Sequence, residues 1–160
     1  MRMSFVALAA PALMIVTPAF AQATSPADYV KQAGAGDLYE RQSSQLVRSS
    51  SDLKVRDFAQ TIIAHHTKST ADVKAAARQA GVRVPPPKLM PMQASMIADL
   101  RRATGAQRDT LYVTQQKQAH QQALALHQGY AANGSSAPLK AAAAKIAPVV
   151  QSHIDMLNAM

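Results

Sequence analysis

The sequence predicts an all-α fold: a four-helix bundle with a long crossover that carries a short extra helix. Three observations predict it. Along Asp52 to Ala80, apolar or small residues recur in alternating steps of four and three, at Val55, Ala59, Ile62, Ser69, Val73, Ala76 and Ala80, with His66 in the one remaining slot. Aromatic residues make up only 4% of the chain, so a core must be built from Ala, Leu, Val, Ile and Met, which suits close-packed helices and not a sheet. Two short turn signals and one proline run divide the chain into four long helical stretches.

The chain opens with one arginine, Arg2, before an apolar run from Phe5 to Val16, and then Ala19-Phe20-Ala21, an A-x-A cleavage signal. This reads as a secretory signal peptide over residues 1–21, cleaved after Ala21, with residues 22–160 as a single domain. The apolar run is 12 residues long, short of the roughly 20 that a membrane span needs. The chain has no cysteine, which excludes disulfides, thiolate chemistry and lipid attachment at a cysteine.

The first helix is expected from about Pro26 to Arg48, with Ser25 as N-cap, Pro26 in the first turn and Asp28 where a capping acid belongs. Its inner face is Val30, Ala33, Asp37, Glu40, Ser44 and Val47, and Gly34 and Gly36 permit close approach of a neighbour. Ser49 to Asp52 is a short connection, so the first two helices are antiparallel neighbours. The second helix carries the His66 seam, with His65, Thr67 and Lys68 beside it, and stops at Gly81. The three prolines Pro85 to Pro87 cannot be helical. A short helix from about Met92 to Ala103 follows, ended by Gly105.

The fourth helix, about Gln107 to Ala132, has an expected inner stripe of Tyr112, Gln116, Ala119, Ala123, Leu126 and Tyr130, with Val113, His120, Leu124 and His127 alongside. Asn133 to Ser136 is a cap and turn signal. The last helix runs from Pro138 to about Asn158, with a stripe of Leu139, Ala142, Ile146, Val149, His153, Met156 and Met160 and a kink expected before Pro148. Two tight connections and one long crossover give the bundle a ferritin-like connectivity.

The segments DLYERQSSQL, RDFAQTIIAHHTK, AARQAGV with the following PPP, YVTQQ, AHQQALALHQGYA and PVVQSH, in this order, resemble the exported bacterial family called domain of unknown function 4142. The resemblance spans nearly the whole mature chain. It implies a ferritin-like helical bundle exported to the periplasm, with association to the outer membrane, and it brings no established activity. The chain departs from the family's usual pattern at His65, where the family reads Asp before His-Thr-Lys, and at Arg108, where it carries an aromatic. The first change alters the polar centre and the second adds to the basic surface.

Each long helix places one polar residue on or beside its inner face: Glu40, His66, His120 and His153. A rise of about 1.5 Å per residue puts all four near mid-bundle, within about one helical turn of each other. Three imidazoles and a carboxylate suit a single zinc, copper or iron ion. The alternative is a hydrogen-bonded polar layer that fixes the register of the bundle, with Glu40 and His153 as the partners of His66. A di-iron carboxylate site is excluded: it needs a glutamate from each of two helices and Glu-x-x-His from the others, and the mature chain has one glutamate, Glu40.

Hydrolytic motifs and phosphate-binding glycine loops are missing from the sequence. Met90, Met92 and Met96 read first as packing for the crossover helix and second as soft-metal ligands. His65 and His127 are expected at bundle edges, titrating with the compartment. The net charge of +8, with Arg78, Arg83, Lys88, Arg101, Arg102 and Arg108 close in sequence, suits either a solvated face or contact with an anionic envelope surface. It does not suit nucleic acid, since the basic residues are not interleaved with aromatics. The functional expectation is a non-enzymatic envelope protein, binding or structural, monomeric or weakly associated. Its rival is a metal-binding protein or oxidoreductase built on the mid-bundle residues.

Overall fold

Ser25 and Asp52 start the first two helices as their side chains dictate. Ser25 Oγ accepts the backbone N–H of Asp28, and Asp52 Oδ1 accepts those of Lys54 and Val55. The computed structural model describes residues 24–160, so the signal peptide and its cleavage point lie outside the described residues. Five helices follow: α1 (Pro26–Gln45), α2 (Leu53–Gln79), α3 (Pro91–Arg102), α4 (Gly105–Asn133) and α5 (Ala137–Asn158). The described residues contain no strand, and none of these helices is long and apolar enough to cross a membrane.

Gly81 ends α2 at a φ of 66°, a left-handed value that favours glycine. Gly105 does not end α3 as expected. Extended Ala103 and Thr104 break the chain, and Gly105, at φ 52°, opens α4. Gly134 is needed for approach and not for conformation: a Cβ there would lie 2.5 Å from the Tyr130 ring. Gly34 lies under the proline run, its would-be Cβ 3.4 Å from Pro87.

The four long helices pack in a ring. α1 lies against α2 and α4, α5 lies against the same two, and α3 rests on α1 and α4. Two apolar clusters fill the ends of the ring. One holds Tyr29, Ala33, Val73, Ala77, Tyr130, Leu139 and Ile146, and the other Val47, Val55, Phe58, Ile62, Tyr112 and Leu157. Their membership gives the directions: α1 and α5 run one way, α2 and α4 the other. The link from α2 to α4 must therefore travel the length of the bundle, which is the task of the proline run and α3.

Along α2 the expected seam is buried except for half-exposed Ala80. On α4 the stripe is rotated: His120 and His127 are buried, while Ala119, Ala123 and Leu126 are only half-buried. On α5, Val149, Met156 and Met160 are exposed, and Ala143, Val150 and Leu157 are buried in their place. Both registers of α5 share Leu139, Ala142, Ile146 and His153. The one observed puts Leu157 against Phe58 and Tyr112, while Pro148 stays exposed on the outer side of a helix that continues through it.

Arg108 is not part of the open basic surface. Its Nε donates to Ala103 O at 2.7 Å and an Nη to Leu46 O at 3.2 Å, tying the start of α4 to the end of α1. Arg102 pairs with Asp99, while Arg78, Arg83, Lys88 and Arg101 are exposed.

His127 is not at an edge either. It is 3% exposed, and its Nδ1 lies 3.0 Å from Tyr29 Oη, whose ring stacks on Tyr130. Burial holds its pKa down at about 4, against an ordinary 6.5, with the charges of Asp37 and His66 acting in opposite directions. The folded imidazole thus stays neutral where the unfolded one takes a proton. Its contribution is complete above about pH 6.5 and is lost as the pH falls towards 4, by about 3 kcal/mol in all. Urea unfolding of the parent and of His127→Gln across pH 7.5 to 4.5 checks this. The parent loses stability more steeply than the variant; parallel curves would exclude His127 as the responsible group.

Candidate metal centre

On every long helix the polar inner residues fall between its contributions to the two apolar clusters. Asp37 to Ser44 lie between Ala33 and Val47 on α1, and His66 and Ser69 between Ile62 and Val73 on α2. Gln116 and His120 follow Tyr112 on α4, and His153 lies between Val150 and Leu157 on α5. The result is a polar layer at mid-height, closed above and below by hydrocarbon. Placing such groups there is unfavourable unless they bond one another or a cation.

Asp37 and His66 are the tightest pair. Asp37 Oδ1 lies 2.8 Å from His66 Nδ1, and Asp37 Oδ2 accepts the Thr70 hydroxyl at 2.9 Å. Arg41 braces the same corner by donating to Thr70 Oγ1 and to His66 O. His66 Nε2 is buried without a hydrogen-bond partner, as is Glu40 Oε2. Burial alone would lower the pKa of His66. The hydrogen bond and charge of Asp37, with the charge of Glu40, outweigh it and hold the imidazole above its ordinary range.

The other imidazoles form a chain. His120 Nδ1 lies 3.0 Å from Gln116 O, His120 Nε2 lies 3.2 Å from His153 Nδ1, and His153 Nε2 lies 2.8 Å from His65 Nδ1. Burial lowers the pKa of His120, and burial together with the neighbouring imidazoles lowers that of His153 to about 2, so both rings are neutral. A carbonyl can only accept, so His120 carries its proton on Nδ1 and presents a lone pair at Nε2. His153 then donates from Nδ1 and accepts at Nε2 from exposed His65. The chain leads from the polar layer to the surface.

One nitrogen from each of His66, His120 and His153 lies within 4.8 Å of the others. Ion bonds of about 2.0–2.1 Å in a tetrahedron require nitrogens about 3.3 Å apart. The pair His120 Nε2 and His153 Nδ1, 3.2 Å apart, already has this spacing, and the rings must turn to aim all three nitrogens at one point. A cation there would displace the proton shared by His120 and His153. His153 would then carry its proton on Nε2 and donate it to His65 Nδ1, and the proton of exposed His65 would move to Nε2 of that ring. His66 is oriented as metal-bound histidines usually are, with a carboxylate on its other nitrogen.

Of the four residues expected at this depth, the structure brings the three histidines together. Glu40 stands beside them, its Oε1 3.6 Å from His120 Nδ1, on the nitrogen that faces away from the cluster. The expected partners of His66 were Glu40 and His153; the residue found there is Asp37, one helical turn before Glu40 on the same face. Tyr112 is buried against Ser44 Oγ at 2.8 Å, below the layer. Thr67 and Lys68 are exposed and bond locally, to Ile63 O and Asp72. Sequence reasoning missed the link of His65 to His153, because an exposed position one residue off the seam carries no periodic signal. It also missed Gln115, whose amide accepts the Tyr39 hydroxyl and which looks like a surface residue by type; Gln116, expected on the inner stripe, is buried and donates to Ser43.

The Asp37–His66 pair sets the expected cost of disturbing the layer. In chelator-treated protein, His66→Ala removes the partner of a buried carboxylate and opens a cavity, a loss of about 3 kcal/mol in urea unfolding. Asp37→Asn keeps an acceptor and costs about half as much. A His66→Ala protein as stable as the parent would show that the pair does not hold the layer.

The family model described as domain of unknown function (DUF4142) matches residues 15–160. No curated protein and no solved structure matches the chain. With that match running through all five helices and the buried histidines, the chain belongs to the DUF4142 family.

Proposed function

We propose that this protein is a non-enzymatic, metal-binding protein of the cell envelope, and that it holds one transition-metal ion through His66 Nε2, His120 Nε2 and His153 Nδ1. The convergence of three buried imidazole nitrogens within 4.8 Å carries the reading. The electrostatics support it: Asp37 and Glu40 are buried against the cluster and offset the charge of a cation. Three imidazole nitrogens without a thiolate suit zinc, copper or iron, with the ion taking the place of any proton on His66 Nε2. The ligands are at most 3% exposed, and a catalytic ion needs a position open to substrate, so retention of the ion is favoured over turnover. Export rests on the leader pattern ending at Ala21. The exposed Arg78, Arg83, Lys88 and Arg101 suit a face turned to anionic envelope material.

Titration of chelator-treated mature protein with Zn(II), Cu(II) and Fe(II), followed by calorimetry and elemental analysis, tests the reading. One ion is expected to bind per chain, raising stability by about 2.7 kcal/mol at a hundredfold excess over Kd. His120→Ala abolishes that gain. Failure of all three ions to bind at one per chain would overturn the proposal.

A further inference from the structure

A cavity of about 250 Å³ lies beneath the crossover, between α1, α3 and α4. His66 and Glu40 lie at its inner end, and Met90, Met92 and Met96 line its outer side. The methionines are not doing the packing expected of them. Ile97 and Leu100 bury α3 against the bundle, while Met90 is 40% and Met92 59% exposed and Met96 is half-buried. A thioether that fills no gap is an unusual thing to leave at the mouth of a cavity. Three thioethers there form a soft, uncharged donor set, the kind that selects monovalent d10 cations over zinc or iron. At the inner end, His66 Nε2 and Glu40 Oε2 are both buried and lack hydrogen-bond partners. Gly36, which also lines the cavity, has nothing within 4 Å of a would-be Cβ, so its side of the cavity faces open space.

We propose that Met90, Met92 and Met96 form a loading site for copper(I), from which the ion passes through the cavity to His66 and the buried imidazoles. This rests on the metal-binding reading for its destination and names its cargo. The transfer is ligand exchange alone: copper–thioether bonds break, copper–imidazole bonds form, and the ion keeps its oxidation state throughout. Imidazole nitrogen is a stronger donor than a thioether, and the buried carboxylates of Asp37 and Glu40 offset the charge of a cation, so an ion caught at the exposed thioethers is stabilised by moving inward.

The test uses silver(I), a redox-inert stand-in, and copper(I) delivered from a chromogenic chelator to the mature protein. On addition of silver(I), the methyl resonances of Met90, Met92 and Met96 should shift, while those of Met156 and Met160 stay in place. The triple variant Met90→Leu, Met92→Leu, Met96→Leu should take copper(I) from the chelator at least tenfold more slowly than the parent, with the same final amount bound. Equal rates of uptake, or no shift of the three methyl groups, would overturn the loading site even if the imidazoles bind metal. If the three methyl groups shift and His120→Ala retains all the copper of the parent, the thioether site stands and the buried centre fails as its destination.

Discussion

The contact between Asp37 and His66 is the constraint on which the rest of this bundle depends. A carboxylate buried at mid-height cannot be left alone in hydrocarbon. It is met on one oxygen by His66 and on the other by Thr70, with Arg41 holding Thr70 from the far side. All four residues lie on α1 and α2, so the pair fixes how those helices slide against each other. A slip of one turn would bring Asp37 opposite Ile62 or Ser69 in place of His66. The same contact fixes His66 so that Nδ1 is taken and Nε2 is presented to the imidazoles of α4 and α5.

The pattern of α2 was legible because its seam is apolar on one side and polar on the other. The inner face of α1 was legible too, although it is half polar, because its residues follow the same steps. α4 and α5 were harder for opposite reasons. On α4 Tyr112, Gln116 and Tyr130 of the expected stripe are buried, but Gln115, His120 and His127 take the inner places expected of Ala119, Ala123 and Leu126, so residue type points away from the true inner face. α5 is rich in alanine on all sides, and two registers share four of their positions. Only the far partners, Phe58 and Tyr112 opposite Leu157, decide between them. Depth along each helix could be counted from the turns, and it placed the three histidines at one level. Rotation about the helix axis could not be counted, which is why Asp37 was passed over for Glu40.

A polar layer between two apolar clusters is a costly way to build a small core. The bundle keeps it by connecting nearly every member: Tyr39 to Gln115, Gln116 to Ser43, Ser44 to Tyr112, His120 to His153. Among the buried atoms left without a partner, Ser69 Oγ and Gln116 Oε1 also belong to the layer, and two, His66 Nε2 and Glu40 Oε2, belong to residues that line the cavity. The unmet pair at the cavity is what the metal-binding reading uses and what a layer serving register alone does not need.

The three histidines stand on α2, α4 and α5, at points 54 and 33 residues apart along the chain. A single ion joining them would act as a covalent-like staple. It would close two large loops at once and strip conformations from the unfolded chain, much as a disulfide does. A chain without cysteine has no other means of cross-linking itself. Loading would lock the long crossover into place, because the passage of the chain from α2 to α4 lies inside the first of those loops. Unlike a disulfide, this staple could be fastened and released without any change of redox state.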